Sequence, residues 1–373
     1  MRLDDHGLIF GPVRSGRLGT SLGLDLLGAK ICSFDCLYCE VGPTRALTSV
    51  RKPYVPADKI LGELAYWLFN PHPEFDVITL GGMGEPTLNS DMGRIIEGVR
   101  ELVPGVPVAV LTNSSLINDP QVRTELALAD LVLPSMDSLV PSEFALINKP
   151  VSGLSLLDIR RGLLEFRKLF SGRLCLEVLV LAGVNDTQEN LDRLSAFCTE
   201  LNPDRVDVVT MTRPGAYIQA MPAPPATLER FRQALCAPGT GREDVRPVHH
   251  VQSAQTGQAC RDSALEDEAG QTGHVGQGEA QDDAATPEKA RHFAHSLDNQ
   301  TGEGLQALSM RVLDSLARRP QSATDLARVL GATDSDLRNL LDDFQAQGLV
   351  QVRRLNGGAF YFRTRKERRP GQE

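Results

Sequence analysis

The chain has 373 residues, of which 41% are hydrophobic, and its formal net charge is −9. This length accommodates one large domain and a small one, and the composition is sufficient for a buried core. The negative charge argues against a protein that simply coats nucleic acid. The sequence has no signal-peptide pattern and no apolar run near the roughly 18 residues of a membrane helix, so we expect a soluble, cytoplasmic protein.

Between residues 29 and 211, short apolar segments rich in β-branched residues alternate with helix-like segments. Five of the apolar segments are predicted strands: Val77–Gly82, Val106–Asn113, Asp130–Ser135, Leu174–Gly183 and Val206–Pro214. The stretch leading into Cys32 is a weaker sixth candidate. Helical periodicity is clear in Asp58–Phe69 and Thr187–Leu201. The alternation predicts parallel βαβ units, and six of them form a partly open, TIM-like (β/α)6 barrel of the α/β class.

The composition changes after residue 236. Residues 237–303 are rich in Gly, Gln, Ala, Asp and Glu, and Arg261–Gly304 contains ten acidic and three basic residues, a net charge of −7. Such a segment cannot bury enough apolar surface to offset the entropy lost on ordering. We therefore predict a flexible acidic linker over 237–303, which follows a core domain of residues 1–236.

The sequence after the linker again has the pattern of a folded domain. Apolar residues at helical spacing predict three helices, and two of these begin at capping boxes, Ser322 with Asp325 and Thr333 with Asp336. An Asn356-Gly357 pair between two apolar segments predicts a β-hairpin. Three helices followed by a hairpin is the order of a winged helix, which we assign to residues 304–364, with a basic tail at 365–373.

The charges of the predicted winged helix favour different partners in its different elements. Its hairpin and tail, Gln351–Glu373, contain seven basic and two acidic residues, which suits contact with phosphates. The expected recognition helix, Asp334–Gln347, has four aspartates against the single basic residue Arg338, which suits a major groove poorly. We favour contact with protein over contact with nucleic acid.

Three of the seven cysteines, Cys32, Cys36 and Cys39, form a C-x3-C-x2-C cluster. In a reducing compartment such clusters are more often metal ligands or catalytic thiols than disulfides. A zinc site needs four ligands, and neither a fourth cysteine nor a histidine lies nearby. Three cysteines are enough to hold three irons of a [4Fe–4S] cluster, which leaves the fourth iron open, as is typical of a catalytic metal site.

The segment "CSFDCLYC", in which Tyr38 precedes the third cysteine, resembles the signature of the radical S-adenosylmethionine (SAM) enzymes. The later "GGMGEPTL" is similar to the glycine-rich segment whose backbone binds the amino group of SAM in that superfamily. The flanks "FGPVRSGRLGTSLGLDLL", "INKP", "GVND" and "TRP" resemble one branch, the Fe–S oxidoreductases related to the wyosine-forming tRNA enzymes. This resemblance covers Ile9 to Pro222, about 60% of the chain.

The resemblance implies which residues hold the cofactors. Cys32, Cys36 and Cys39 would bind the cluster, and SAM would bind its open iron. The implied SAM contacts are Tyr38, Gly82, Met83, Gly84, Glu85, Thr112, Asn113, Ser135 and Asp137. Most of these follow predicted strands, and chemistry in such barrels gathers at the carboxyl ends of the strands. Asn113 and Asp137 could equally be loop caps, and Glu177 could face either the site or solvent.

The resemblance also implies a reaction. In this superfamily a donor such as flavodoxin or ferredoxin reduces the cluster, SAM is cleaved to a 5′-deoxyadenosyl radical, and the radical abstracts hydrogen from a substrate. We therefore predict an oxidoreductase with an unidentified substrate and an unassigned catalytic side chain. Modification of tRNA or another RNA is an alternative, although the second cysteine cluster of the wyosine-forming enzymes is absent upstream of Cys32. The other alternative is an iron- or redox-sensing regulator that binds DNA, but a sensor has no need of the glycine-rich SAM segment.

Overall fold

A computed structural model describes residues 7–236 and 302–364, and the side chains from residue 308 onward in the second range. The predicted linker, apart from its last two residues, and the predicted basic tail lie outside these ranges. Within them, no helix is both long enough and apolar enough to cross a membrane. The cytoplasmic location stays a prediction.

A seven-stranded sheet organises residues 7–236. The strands of this part of the chain are β1 (Ile9–Ser15), β2 (Gly19–Asp25), β3 (Ile31–Cys32), β4 (Ala46–Leu47), β5 (Val77–Gly81), β6 (Val108–Thr112), β7 (Leu131–Pro134), β8 (Arg173–Leu179) and β9 (Arg205–Val209). The spatial order in the large sheet is β1-β2-β5-β6-β7-β8-β9, and the six strands from β2 onward run parallel. The predicted α/β fold with a partial, six-stranded barrel is confirmed.

Helices pack against the outside of this sheet. They are α1 (Ala57–Phe69), α2 (Met92–Leu102), α3 (Pro120–Leu126), α4 (Pro141–Asn148), α5 (Leu156–Leu169), α6 (Gln188–Leu201) and α7 (Pro225–Leu235). The core lies between the helices and the strands, and its largest fully buried side chains include Phe166, Phe197 and Phe231. Burial of each such side chain stabilises the fold by about 1.5–3 kcal/mol. This packing holds the strand ends, and therefore the site, in place.

The amino-terminal strands differ from the prediction. The first barrel strand is β2, which lies ahead of the expected stretch, whereas Ile31–Cys32 is a two-residue strand that pairs with β4. Strand β1 was not predicted, and it pairs antiparallel with β2 at the edge of the sheet. Its Gly11-Pro12 pair lies at a register shift, where an edge strand tolerates a residue without an N–H donor. Because Gly11 and Pro12 interrupt β1, its sequence does not show the alternation of apolar and polar residues that predicts a strand.

Residues 302–364 fold around a second, separate core. The elements are α8 (Gly302–Arg318), α9 (Ala323–Leu330), α10 (Asp334–Ala346), β10 (Val350–Leu355) and β11 (Gly358–Arg363). Both predicted capping residues are in place, because Ser322 Oγ and Thr333 Oγ1 each accept a hydrogen bond at 3.1 Å from the backbone N–H three residues later. Asn356 and Gly357 have the positive φ angles that a tight hairpin turn requires. We call residues 302–364 the C-terminal module.

The C-terminal module contacts both edges of the large sheet. At the β1 edge, the Arg318 guanidinium donates to the Gly7 carbonyl at 2.5 Å and lies 5.1 Å from the centroid of the Phe10 ring. Beyond β9, the Arg353 guanidinium donates to the Gly215 carbonyl at 3.2 Å. The module therefore contacts both the β1 edge and the loop that follows β9.

Candidate active site

A cavity of about 290 Å³ opens at the carboxyl ends of the parallel strands. Most of the residues predicted to bind the cluster or SAM line it: Cys32, Cys36, Tyr38, Cys39, Gly82, Gly84, Glu85, Thr112, Asn113 and Ser135. Two predicted residues, Met83 and Asp137, are buried behind the lining. Residues predicted from separate segments of the sequence are thus brought together in one place.

Backbone hydrogen bonds hold the cysteine loop. The Leu37 amide donates to the Ile147 carbonyl at the end of α4 at 2.8 Å, which ties the loop to the barrel. The Cys39 amide donates to the Cys36 carbonyl at 3.2 Å and closes a turn. With Cys32 at the end of β3, this arrangement directs all three thiols into the cavity.

Burial raises the pKa of two of the three thiols. Loss of solvation raises the pKa of Cys32 to about 11, and it raises the pKa of Cys36 well above its ordinary value. The amide nitrogens of Asn113 and Asn148 each lie 3.5 Å from a sulfur, that of Cys32 and that of Cys36 respectively. Without a bound metal the thiols of Cys32 and Cys36 are protonated at neutral pH, whereas a metal binds the thiolate form.

A buried lysine lies beside the cysteines. Lys30 is 4% exposed, and its Nζ donates to Cys39 Sγ at 3.0 Å. Burial opposes its charge, but the cysteine charges outweigh burial and raise the pKa of Lys30 to about 12. Among the described residues it forms no ion pair with a carboxylate. Because a buried ammonium needs negative charge nearby, this environment fits cysteines that are ionised as ligands.

The arrangement of the ligands suits a cluster better than a single ion. In the described ranges, no three His, Cys, Asp or Glu side chains converge as a site for one metal ion would require. In an iron–sulfur cube each iron takes its own thiolate, so the thiolates are spread apart. Three thiols around an open cavity, with a buried cation next to them, therefore fit a [4Fe–4S] cluster.

The glycine-rich segment approaches the cysteine loop closely. The Glu85 amide donates to the Ile31 carbonyl at 3.2 Å, next to the first cysteine. A Cβ atom at Gly84 would lie 1.7 Å from that same carbonyl oxygen, so only glycine fits. Gly82 has a φ of +114°, which side chains rarely adopt. The segment thus presents bare backbone to the cavity.

The Glu85 carboxylate is fully occupied by hydrogen bonds within the protein. It accepts from Thr112 Oγ1 at 2.7 Å, from the Asn113 amide at 2.7 Å, and from both the amide and the hydroxyl of Thr87. Loss of solvation raises the pKa of this carboxyl group. Its side chain therefore joins the ends of β5 and β6.

Asp137 orients the tyrosine of the cysteine motif. Its carboxylate accepts from Tyr38 OH at 2.6 Å, from Asn148 Nδ2 at 2.7 Å and from the Leu179 amide at 3.0 Å. It is 2% exposed, and burial raises its pKa. Met83 is likewise buried behind the lining. For Asp137 and Met83, direct contact with SAM stays a prediction.

Two residues, Arg17 and Lys30, were not recognised in the sequence as parts of a site, whereas Glu177 was considered with two possible orientations. Glu177 lines the cavity rather than facing solvent, and its carboxylate pairs with Arg17 from the β1–β2 turn. Arg17 was missed because β1 was missed. One feature of the sequence could have identified Lys30. It is the only charged residue in the stretch from Leu26 to Ile31, which ends directly before the first cysteine.

Comparison with known proteins agrees with this geometry. The family model described as the Radical SAM superfamily matches residues 27–194. A UPF0026 protein of Synechocystis sp. is 42% identical over 207 residues, which cover 55% of this chain and 76% of that protein. The GTPase Obg of Brachyspira hyodysenteriae is 39% identical over 205 residues, 55% of this chain, but these span only 30% of that relative. The chain therefore belongs to the UPF0026 family, and its residues 27–194 are similar to the Radical SAM superfamily model.

Similarity extends to more distant proteins. A probable dual-specificity RNA methyltransferase RlmN of Flavobacterium psychrophilum is 24% identical over 241 residues, 61% of this chain and 65% of that protein. The crystal structure of a radical SAM methyltransferase from Sphaerobacter thermophilus is 19% identical, with a TM-score of 0.42 over 62% of this chain and 66% of the other. The narrower likeness to the wyosine-forming branch stays a prediction.

Proposed function

We propose that this chain is a radical SAM enzyme in which Cys32, Cys36 and Cys39 hold a [4Fe–4S] cluster. The observation that supports it best is the shared cavity of the three thiols and the glycine-rich segment at the carboxyl ends of the strands. A bound cluster, reduced by a one-electron donor such as flavodoxin or ferredoxin, would supply the electron for cleavage of SAM to methionine and a 5′-deoxyadenosyl radical, and this radical would abstract hydrogen from a substrate. The oxidoreductase class and the substrate belong to this proposal.

The protein's own groups bind and orient SAM. The backbone of Gly82–Glu85 binds the amino group of its methionine part, since Gly82 and Gly84 bring backbone without side chains into the cavity lining. Tyr38, held by Asp137, packs near the adenine. Thr112, Asn113 and Ser135 supply polar groups to the ribose and the methionine part. The apolar strand residues below exclude water from the reacting atoms.

The C-terminal module is, in this proposal, a winged helix that contacts protein. Its element order and its contacts with the barrel through Arg318 and Arg353 support that assignment. Asp334, Asp342 and Asp343 are exposed on α10. Such an acidic helix is better suited to binding a protein than to binding a phosphate backbone.

Action on RNA is a second candidate function. The RlmN relative supports it, and so do Arg353 and Arg354, which are exposed on the β10–β11 hairpin. Phosphate contacts of this kind make binding salt-dependent. Salt-sensitive binding of RNA by the full-length protein would favour this candidate, and binding that is absent at low salt would contradict it.

Anaerobic purification and cluster reconstitution test the proposal. We expect a brown protein that releases 5′-deoxyadenosine when given dithionite and SAM. Cys36→Ala removes both the colour and the product, because one of three ligands is lost. As a matched control, Cys236→Ala changes a half-buried thiol outside the cavity and retains both.

Two results would contradict the proposal. A colourless protein that binds zinc instead of iron would exclude the cluster. A protein that binds the cluster but never cleaves SAM would favour the redox-sensing regulator.

A further inference from the structure

We propose that Lys30 is a positioning residue that holds the Cys39 sulfur and raises the reduction potential of the cluster. This inference rests on the proposed function, since it concerns a cluster bound at Cys32, Cys36 and Cys39. The resemblance that identified the cysteines assigns no role to this lysine.

The geometry fixes Lys30 tightly. Its Nζ lies 3.0 Å from Cys39 Sγ, and its side chain is almost completely buried. Its backbone carbonyl accepts hydrogen bonds from the amides of Arg45 and Ala46, each at 3.3 Å. The ammonium therefore has little freedom to leave the sulfur and reach solvent.

Glu85 lines the same cavity as Lys30. The Glu85 carboxylate accepts its hydrogen bonds from Thr87, Thr112 and Asn113. The group to which Lys30 donates is the sulfur of Cys39. A buried ammonium without compensating charge is strongly destabilising. Cysteines that are ionised as cluster ligands supply the negative charge that the buried Lys30 ammonium requires.

This charge acts on the electron transfer. Reduction brings one electron from the donor into the site and adds one unit of negative charge there, and no proton needs to move. A fixed positive charge next to a ligand sulfur stabilises the reduced form more than the oxidised form, and the surroundings are poorly screened by water. Hydrogen bonds to the sulfurs and net charge are among the features that set the potentials of such clusters.

The test is a redox titration of the reconstituted full-length protein with dithionite, followed by electron paramagnetic resonance. We expect Lys30→Met to retain iron and to shift the midpoint potential downward. Lys30→Arg, which keeps the charge, shifts it less. Lys59→Met, at an exposed lysine of α1, leaves it unchanged.

The outcomes separate this inference from the proposed function. An unchanged potential in Lys30→Met overturns the role of Lys30, and so does an equal shift in Lys30→Arg. If Lys30→Met takes up too little iron for a titration, Lys30→Gln replaces it, since glutamine keeps an N–H donor without the charge. Its midpoint potential is then compared with those of the wild-type protein and Lys30→Arg in the same way. A wild-type protein that takes up no cluster overturns the proposed function itself.

Discussion

At the scale of single residues, the site depends on buried polar side chains whose hydrogen bonds are all made. Asp137 is one example, because it accepts from Tyr38, Asn148 and the Leu179 amide. An unpaired carboxylate at this depth would reduce the free energy of unfolding. The buried position of Asp137 therefore requires its three hydrogen-bond donors. The sequence predicted Asp137 as part of the site but could not distinguish contact with SAM from support of Tyr38.

Asp137→Asn tests this supporting role. The amide group must point an N–H donor either at the Leu179 amide or at Tyr38 and Asn148, which are donors themselves. We expect the free energy of unfolding to fall by about 1–3 kcal/mol, measured by chemical denaturation of the protein without cofactors. Tyr38→Phe removes one donor only and costs less.

Asp342→Asn, at an exposed position of α10, is the control for Asp137→Asn, and we expect it to leave stability unchanged. Equal stabilities of Asp137→Asn and the wild-type protein would show that the three hydrogen bonds do not hold the carboxylate in place.

At the scale of secondary-structure elements, the predicted barrel strands agree with the structure to within a few residues. Strands such as Val77–Gly81 and Val108–Thr112 are buried on both faces and read as continuous apolar runs. Edge strand β1 has no fully buried residue and contains Gly11 and Pro12, so its sequence lacks that pattern. Strand prediction succeeded where burial determines composition.

The contact between the glycine-rich segment and β3 supplies a prediction at this scale. Gly84→Ala forces a methyl group against the Ile31 carbonyl oxygen, and the backbone must move. We expect a loss of stability of about 1–3 kcal/mol or more, together with reduced iron uptake. Thermal denaturation and an iron assay measure the two effects.

Gly62→Ala is the matched control for Gly84→Ala. It lies in α1 with no atom within 4 Å of the new Cβ, and we expect it to stabilise the protein by roughly 0.5–1 kcal/mol. If the two variants behaved alike, the close approach at Gly84 would not be required.

At the scale of the whole molecule, Arg213 connects the C-terminal module to the cysteine loop. Its guanidinium lies 3.6 Å from the carboxylate of Glu40, the residue after Cys39, and 3.4 Å from that of Asp325 in α9. Arg319 lies near the same charges, and burial lowers its pKa. The module is therefore linked through Arg213 to the loop that contains the predicted cluster ligands.

Asp325→Lys tests this docking. It replaces the acceptor of Arg213 with a third positive charge beside Arg213 and Arg319, so we expect the module to separate from the barrel. Hydrogen–deuterium exchange should then increase at residues 7–10 and 213–217. Asp342→Lys makes the same charge change on the exposed face of α10 and should leave exchange there unchanged.

Unaltered exchange in Asp325→Lys would mean that the contacts of Arg318 and Arg353 hold the module without this charge pair.

The sequence by itself determined the alternation of strands and helices, the caps of α9 and α10, and the three cysteines with Tyr38. These features are local, since capping, periodicity and ligand spacing depend on residues a few positions apart. Only the tertiary structure decided that Lys30 contacts Cys39, that Arg17 pairs with Glu177, and that Arg213 lies between Glu40 and Asp325 of the module. Those contacts depend on chain turns and on packing between distant segments, which local sequence patterns do not encode.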